Sequence, residues 1–418
     1  MFNSTKIINY FLLYLLIAFS GVPFFIFAKS TFLILLFPLP AVVYFYRKSE
    51  LPKFIALYLI YVVLLLMLQT IKFKFFPVET YIGIILKVLF AFFVIELLKE
   101  KFIPYYVNII YVSTIISLFF YILSYAPGFE NIIASKLSPI MENPLLKQEG
   151  YKVWPNIIIY TANSGGAEPL LRNSGPFWEP GAFAGFLVIA LIFNFIQTQD
   201  FWHKKNKLLM IGLLSTFSTT GILSLFVLIA GYFLSNRKVY VKIITIPLVL
   251  LLGFYAFNTI DILGKKISEK MDIENAEYNT RFKSAVLDIR DTIENPILGL
   301  GRNIETRFKG EKDPVKIHRN NGVTDFMASV GFLTFILYFY FMYFSFNKLC
   351  KVNGFKAEFA NYAIILIIMI GFSEGYFFRP FFYSLTMLHI HIIKAKTEQI
   401  LDKGKGQIPD SLIGAGIS

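Results

Sequence analysis

Two arginines, a glutamate and a histidine stand in polar stretches of this chain where a charged substrate could be handled. Arg172 and Glu179 flank the start of an apolar run in LLRNSGPFWEPGAFAGF. Pro176 and Pro180 fix the turn, which predicts a helix start near Trp178 with Glu179 in its first turn. A guanidinium at such a place can grip phosphate oxygens in pairs, and a carboxylate can accept a hydroxyl proton. The plain alternative is that Glu179 complements the helix dipole and Arg172 meets headgroups.

A second polar stretch reads EYNTRFKSAVLDIRDTIENPILGLG. Phe282, Val286, Ile289 and Ile293 recur at helical spacing and predict an amphipathic helix from about Thr280 to Ile293, with Asn279 or Thr280 as N-cap and Asn295-Pro296 as its stop. Arg281 then falls in the first turn, a poor place for a cation unless an anion is bound there. Its functional reading is a phosphate site; its plain reading is a surface pair with Glu277 or Asp288. Farther on, HRNNGVTDFMASVGFLTF places His318, Asn320, Asn321 and Asp325 just ahead of another apolar run. A histidine there can act as a base near neutral pH, or can be interfacial without a role.

The elements that must position these side chains are membrane helices. Hydrophobic residues make up 56% of the 418 and charged ones 16%, and the mean hydropathy is +0.61, so lipid is the solvent for most of the chain. The net charge of +13 could suggest nucleic acid. Its cations instead sit in short clusters between apolar runs (Arg47, Lys48 and Lys53; Lys99 and Lys101; Lys204, Lys205 and Lys207; Arg237, Lys238 and Lys242; Lys348, Lys351 and Lys356; Lys394, Lys396, Lys403 and Lys405), where topology puts them on the cytoplasmic side. Cys350 is the only cysteine, which excludes an internal disulfide and a cysteine-rich metal site. His203, His318, His389 and His391 are scattered, the last two on opposite helix faces.

A span needs roughly 20 apolar residues. That ruler predicts spans at Ile7 to Phe27, Thr31 to Tyr46, Phe54 to Ile71, Tyr81 to Leu98, Phe102 to Ser124, Phe177 to Gln197, Ile243 to Ile260, Gly322 to Phe346, Asn361 to Phe377 and Phe381 to Ile393. The stretch Leu208 to Leu234 has a basic cluster at each end, so it must turn back on itself, with the polar Ser218 to Gly221 as its tip; one long span is the alternative. Counting its arms separately gives an all-α polytopic membrane protein of about twelve segments, two of them short and re-entrant, with both termini cytoplasmic. Residues 1–418 form one membrane domain, and two long extracytoplasmic loops, 125–176 and 261–321, carry the candidate residues.

In this order the pieces resemble the O-antigen polymerases and O-antigen ligases, membrane glycosyltransferases that use undecaprenyl diphosphate-linked glycans. The matching stretches are RNSGPFWEPGAFAG from Arg172, STTGILSL from Ser218, NTRFKSA from Asn279 with its sequel NPILGLG from Asn295, and NNGVTDFMASVGFL from Asn320. The likeness covers about Arg172 to Phe346; the N-terminal spans match in hydropathy alone.

The resemblance implies a GT-C-like architecture in a bacterial inner membrane, with the active site on the extracytoplasmic side. Arg172 and Arg281 match the family's two diphosphate-binding arginines. The family's His-Asn element departs from pattern here: Asn320-Asn321 holds its register with Gly331, Thr334 replaces the last glycine, and His318 lies two residues early. As base, His318 ranks ahead of Glu179, with Asp325 third and Asn320 and Asn321 supporting. The turn from Ala28 to Ser30 has no carboxylate, so chemistry without a metal or other cofactor is expected, and Asp272 and Glu274 are read as solvating their loop. The implied partners are a lipid-linked oligosaccharide donor, a glycan acceptor, membrane lipid, a chain-length regulator and a flippase. Polymerisation onto the non-reducing end of another lipid-linked repeat is the first reading, ligation to a lipid A core the second. A flippase for the same lipids is the competing class; it should carry cations within the bilayer, and Lys87 and Glu96 do fall in the fourth predicted span. A non-catalytic assembly partner is the third.

Overall fold

The computed structural model describes residues 4–26, 36–47, 52–141, 154–163, 171–236, 281–311 and 319–392. His318, Asp272, Glu274, Glu277, the cap pair Asn279 and Thr280, the turn Ala28 to Ser30 and the expected span Ile243 to Ile260 lie outside the described residues.

Among the described residues the chain is helical, with one isolated bridge, Asn156 to Thr161, and no strand. The helices are α1 (Ser4–Gly21), α2 (Pro38–Arg47), α3 (Lys53–Phe73), α4 (Val78–Leu98), α5 (Phe102–Leu123), α6 (Pro180–Thr198), α7 (Lys204–Ser215), α8 (Thr219–Asn236), α9 (Arg281–Glu294), α10 (Gly322–Val330), α11 (Phe332–Val352), α12 (Phe359–Ser373) and α13 (Pro380–Met387). Four helical stretches are long and apolar enough to cross a membrane: α3, the stretch Val78–Leu123 that holds α4 and α5, α6, and α11. Shorter apolar helices lie within α1, α8 and α12. This is consistent with a helical membrane protein.

Helix α6 is the hub. Every side chain from Ala182 to Ile196 is buried, because α5, α7, α8 and α12 all pack around it. Lipid tails give helices no hydrophobic reason to associate, so close approach and polar contacts decide such crossings. At Gly185 a Cβ would sit 2.1 Å from the Tyr376 hydroxyl. That closeness lets Tyr376 donate to the carbonyls of Gly181 and Ala182 at 3.1 and 3.0 Å.

Most expected spans appear with shifted ends, and four differences matter. The first span breaks after Gly21, where Pro23 opens a separate turn. The expected span Gly322 to Phe346 is two helices, α10 and α11, because Gly331 adopts φ +81. Any Cβ at Gly331 would lie 2.2 Å from the carbonyl of Ile297, so the loop after α9 is seated in this break. The expected span to Phe377 stops at Ser373, leaving Glu374 in a turn. Helix α6 starts at Pro180, two residues beyond Trp178, which makes Glu179 its N-cap residue with extended backbone and no side-chain cap. The chain between α7 and α8 turns at Thr216 to Ser218, where Phe217 takes φ +43, so the expected tip at Ser218 to Gly221 shifts toward α7 and Thr219 to Gly221 open α8 instead. Both arms lie against α6. The adjacent histidines go to opposite partners, His389 to Ser345 and His391 to Glu96 at 2.8 Å.

Helix α9 forms where its periodicity predicts, but its orientation is the reverse of a soluble amphipathic helix. Ser284, Ala285, Asp288 and Thr292 are buried against α10, while Val286, Ile289 and Ile293 face outward at 54%, 44% and 73% exposure. Only Phe282 of the apolar stripe turns in, onto the ring of Phe372. An apolar face turned out over a polar face turned in is the arrangement of a helix lying at a lipid surface.

Candidate functional site

The segment RNSGPFWEP is pinned from both sides before it delivers Glu179. Asn173 donates to Ser215 and Ser117 through its amide and accepts from Gly175 N–H at 2.9 Å, closing a tight turn in which Gly175 has φ +53. Thr161 N–H donates to the Gly175 carbonyl at 2.7 Å, and Asn156 holds Thr161. Arg172 Nε donates to the Thr216 carbonyl at 3.2 Å, at the C-terminal end of α7. Arg281 behaves in parallel, with Nε donating to the Ser373 carbonyl at 3.0 Å, at the end of α12. Each expected phosphate-binding arginine thus spends one donor on the negative end of a helix.

Four helix ends meet at Glu374. Its carboxylate accepts from the Trp178 indole at 3.2 Å and lies 3.7 Å from Arg281 Nη2. Gly181 and Gly322 allow this convergence: a Cβ on the first would meet Glu374 Oε1 at 2.3 Å, and on the second the Glu374 carbonyl at 2.0 Å. Glu179 lies close enough for its charge to act on the same carboxyl. Burial first, and then the Glu179 charge, push Glu374 well above the usual carboxylate range, against the pull of Arg281 and Trp178. A carboxyl raised in this way therefore stands beside a second acid and a guanidinium.

The other expected residues are placed differently. Asn321 caps α10 by accepting from the N–H groups of Val323 and Thr324, and its buried amide nitrogen has no partner. Asn320 N–H donates to Ser284. Asp325 lies 3.6 Å from Arg307 and belongs to a lock between α9 and α10. At the centre of that lock Asp288, fully buried, accepts from Arg307 at 2.6 Å, Arg319 at 3.2 Å and Thr324 at 2.8 Å, and Arg307 also meets Asp291. Burial and the Asp325 charge raise the Asp288 carboxyl to about 7, against Arg307, Thr324 and Arg319. The plain reading that paired Arg281 with Asp288 is thereby corrected: Asp288 is taken by Arg307 and Arg319, and Arg281 by Glu374.

The structure joins Glu179 to Arg281 through Glu374, whereas Arg172 forms no ion pair among the described residues. Sequence reasoning missed Glu374, Arg307, Arg302 and Arg379. The Arg302 guanidinium lies 4.1 Å from the Phe378 ring, and that of Arg379 lies 5.6 Å from Trp178, whose indole donates to Glu374. Comparison with family models, curated proteins and solved structures finds no match to this chain, so the site is read from its own geometry.

Proposed function

We propose that the protein is a membrane glycosyltransferase that moves a glycan from a polyprenyl diphosphate carrier onto a second lipid-linked glycan, and so lengthens a polysaccharide. The observation that carries this reading is the convergence of Glu179 and Glu374 beside Arg281, where four helix ends meet. Glycosyl transfer of this kind needs a base for the acceptor hydroxyl and a cation for the departing diphosphate. In the proposed step the acceptor oxygen bonds to the anomeric carbon and its proton passes to Glu179. The carbon–oxygen bond to the diphosphate breaks, and the leaving charge falls to Arg281. Arg172, already fixed at the α7 terminus, lends its remaining donors to the same diphosphate. His318 stays the alternative base. The proposal includes the twelve-segment topology, with both arginine loops on the extracytoplasmic face of a bacterial inner membrane.

The glycan profile of a deletion strain tests it: loss of long chains with single repeats retained supports polymerisation, and loss of all attached repeats means ligation to a core lipid. Unchanged glycans would reject both. A second reading, transport of the same lipids, is favoured by one observation: the charges of Arg302 and Arg379 act on Lys87 and that of Arg302 on Arg379, and none of the three forms a salt bridge among the described residues. Accumulation of unpolymerised donor on the cytoplasmic face of the deletion strain would decide for it.

A further inference from the structure

Three cations away from Arg281 stand without a counter-charge. Lys87 lies on α4, Arg302 in the loop after α9, and Arg379 just ahead of α13. Helices α4 and α13 pack together, and the Arg302 guanidinium lies 4.1 Å from the ring of Phe378, the residue before Arg379. The charges of Arg302 and Arg379 act on Lys87, and that of Arg302 acts on Arg379. None of the three side chains forms a salt bridge or donates a hydrogen bond among the described residues. Arg302 is exposed and the other two are half-buried, so each reaches the surface of an apolar bundle. Cations persist in such a place when they face water or an anion.

This group is separate from the one that faces the leaving diphosphate. The Glu374 carboxylate has a different neighbour at each oxygen: Arg281 Nη2 lies 3.7 Å from Oε1, and the Trp178 indole donates to Oε2 at 3.2 Å. Beyond that indole, 5.6 Å from its ring, lies the guanidinium of Arg379. A diphosphate that falls to Arg281 therefore leaves the three cations unmatched. The charge they answer belongs to another part of the substrate, one indole away from the acids.

We infer that Lys87, Arg302 and Arg379 bind a carboxylate carried by a sugar of the glycan, and so select acidic repeat units over neutral ones. Guanidinium groups pair with carboxylates in bidentate fashion. A sugar ring is about as wide as an indole, so a uronate held here sets its ring beside Glu179 and Glu374. A neutral sugar would leave like charges facing one another with nothing between them, and a site built for a charged group rejects the analogue that lacks it. The inference deepens the glycosyl-transfer reading and rests on it for the choice of a sugar.

The composition of the chains lost on deletion is the first test: they should contain an acidic sugar. The second uses purified full-length protein in phosphatidylcholine nanodiscs, titrated with an oligoglucuronide and with the same oligosaccharide after its carboxylates are reduced to alcohols. The uronate form should bind about 10-fold more tightly, the scale of one charge-assisted hydrogen bond. Arg302→Gln, a change at an exposed side chain, should narrow that gap, and Arg302→Lys should keep part of it. Arg379→Gln should act in the same direction; if that variant fails to assemble, Lys87→Gln must narrow the gap instead. Equal binding of the two forms, a gap unchanged in Arg302→Gln, or displacement of the oligoglucuronide by a glycan-free polyprenyl diphosphate overturns the site. Preference for the uronate in a protein whose deletion leaves the cell's glycans unchanged breaks the transfer reading alone. Loss on deletion of long chains built only of neutral sugars breaks this inference alone.

Discussion

Two charged clusters near the polar loops use the same residue types and treat them differently. In the lock between α9 and α10, Arg307 is 1% exposed and meets Asp288, Asp291 and Asp325, while Asp288 is also held by Arg319 and Thr324. At the convergence of helix ends, Glu374 faces a second acid, and its cation stands off at 3.7 Å. Its Oε1 is buried and has no hydrogen-bond partner among the described residues. The closed cluster fixes two helices together; the open one keeps groups available for something that arrives.

The sharpest way to break this contrast is Arg281→Ala. If the open cluster is catalytic, the variant loses roughly 10² to 10³ in turnover, the scale for removing one preorganised charge stabiliser, measured as polymer formed per inserted protein. Polymer of normal length and amount would end the role of Arg281. Arg307→Ala addresses the closed cluster. It strands buried carboxylates and should destabilise the fold by ~3–5 kcal/mol, read from unfolding in detergent, while the chemistry of the fraction that remains folded is unchanged. A stable variant lacking turnover would invert the assignment of the two clusters.

Two pH experiments sharpen the comparison further. The raised Glu374 carboxyl keeps its proton to higher pH than an ordinary carboxylate, so a free base is gained as pH rises, and turnover should climb with it above the usual carboxylate range. Glu374→Gln removes the raised carboxyl and should move that limb of the profile; an identical limb excludes the pair. The smallest effect belongs to Asp288. Its folded-state carboxyl lies near 7, above an ordinary value near 3.9, so the native state holds the extra proton. The stability it contributes is present below the ordinary value and is lost as pH rises through about 7. Hydrogen exchange in α9, corrected for its intrinsic pH dependence, should show protection falling between those limits, and Asp288→Asn should flatten the trend.

The helices α3 to α6 were legible because hydropathy and basic clusters mark their ends with local signals. The turn at Thr216 to Ser218 was legible for the same reason, since two clusters cannot share a side unless the chain returns. The break at Gly331 was not, because the apolar run passes through it and only the carbonyl of Ile297, brought by a distant loop, explains the glycine. Arg281 was noticed through its uncomfortable place at a helix start, but its partner Glu374 sits in SEGYFF, where no periodicity or motif marks a carboxylate. Arg307 and Arg379 were missed similarly: their roles are set by residues far along the chain. The sequence signal that could have found Glu374 was its position as the lone acid near the end of an apolar run, followed at once by glycine.

The outward apolar stripe of α9 carries one more implication. Val286, Ile289 and Ile293 act as a float, and the buried polar face is moored to α10 by Arg307. Arg281 is the first described residue of the same rigid rod. The lock to α10, which itself packs on the turn at Glu374, therefore holds the guanidinium as well as the stripe, so one set of buried charges fixes both the outward face of α9 and the distance from Arg281 to Glu374.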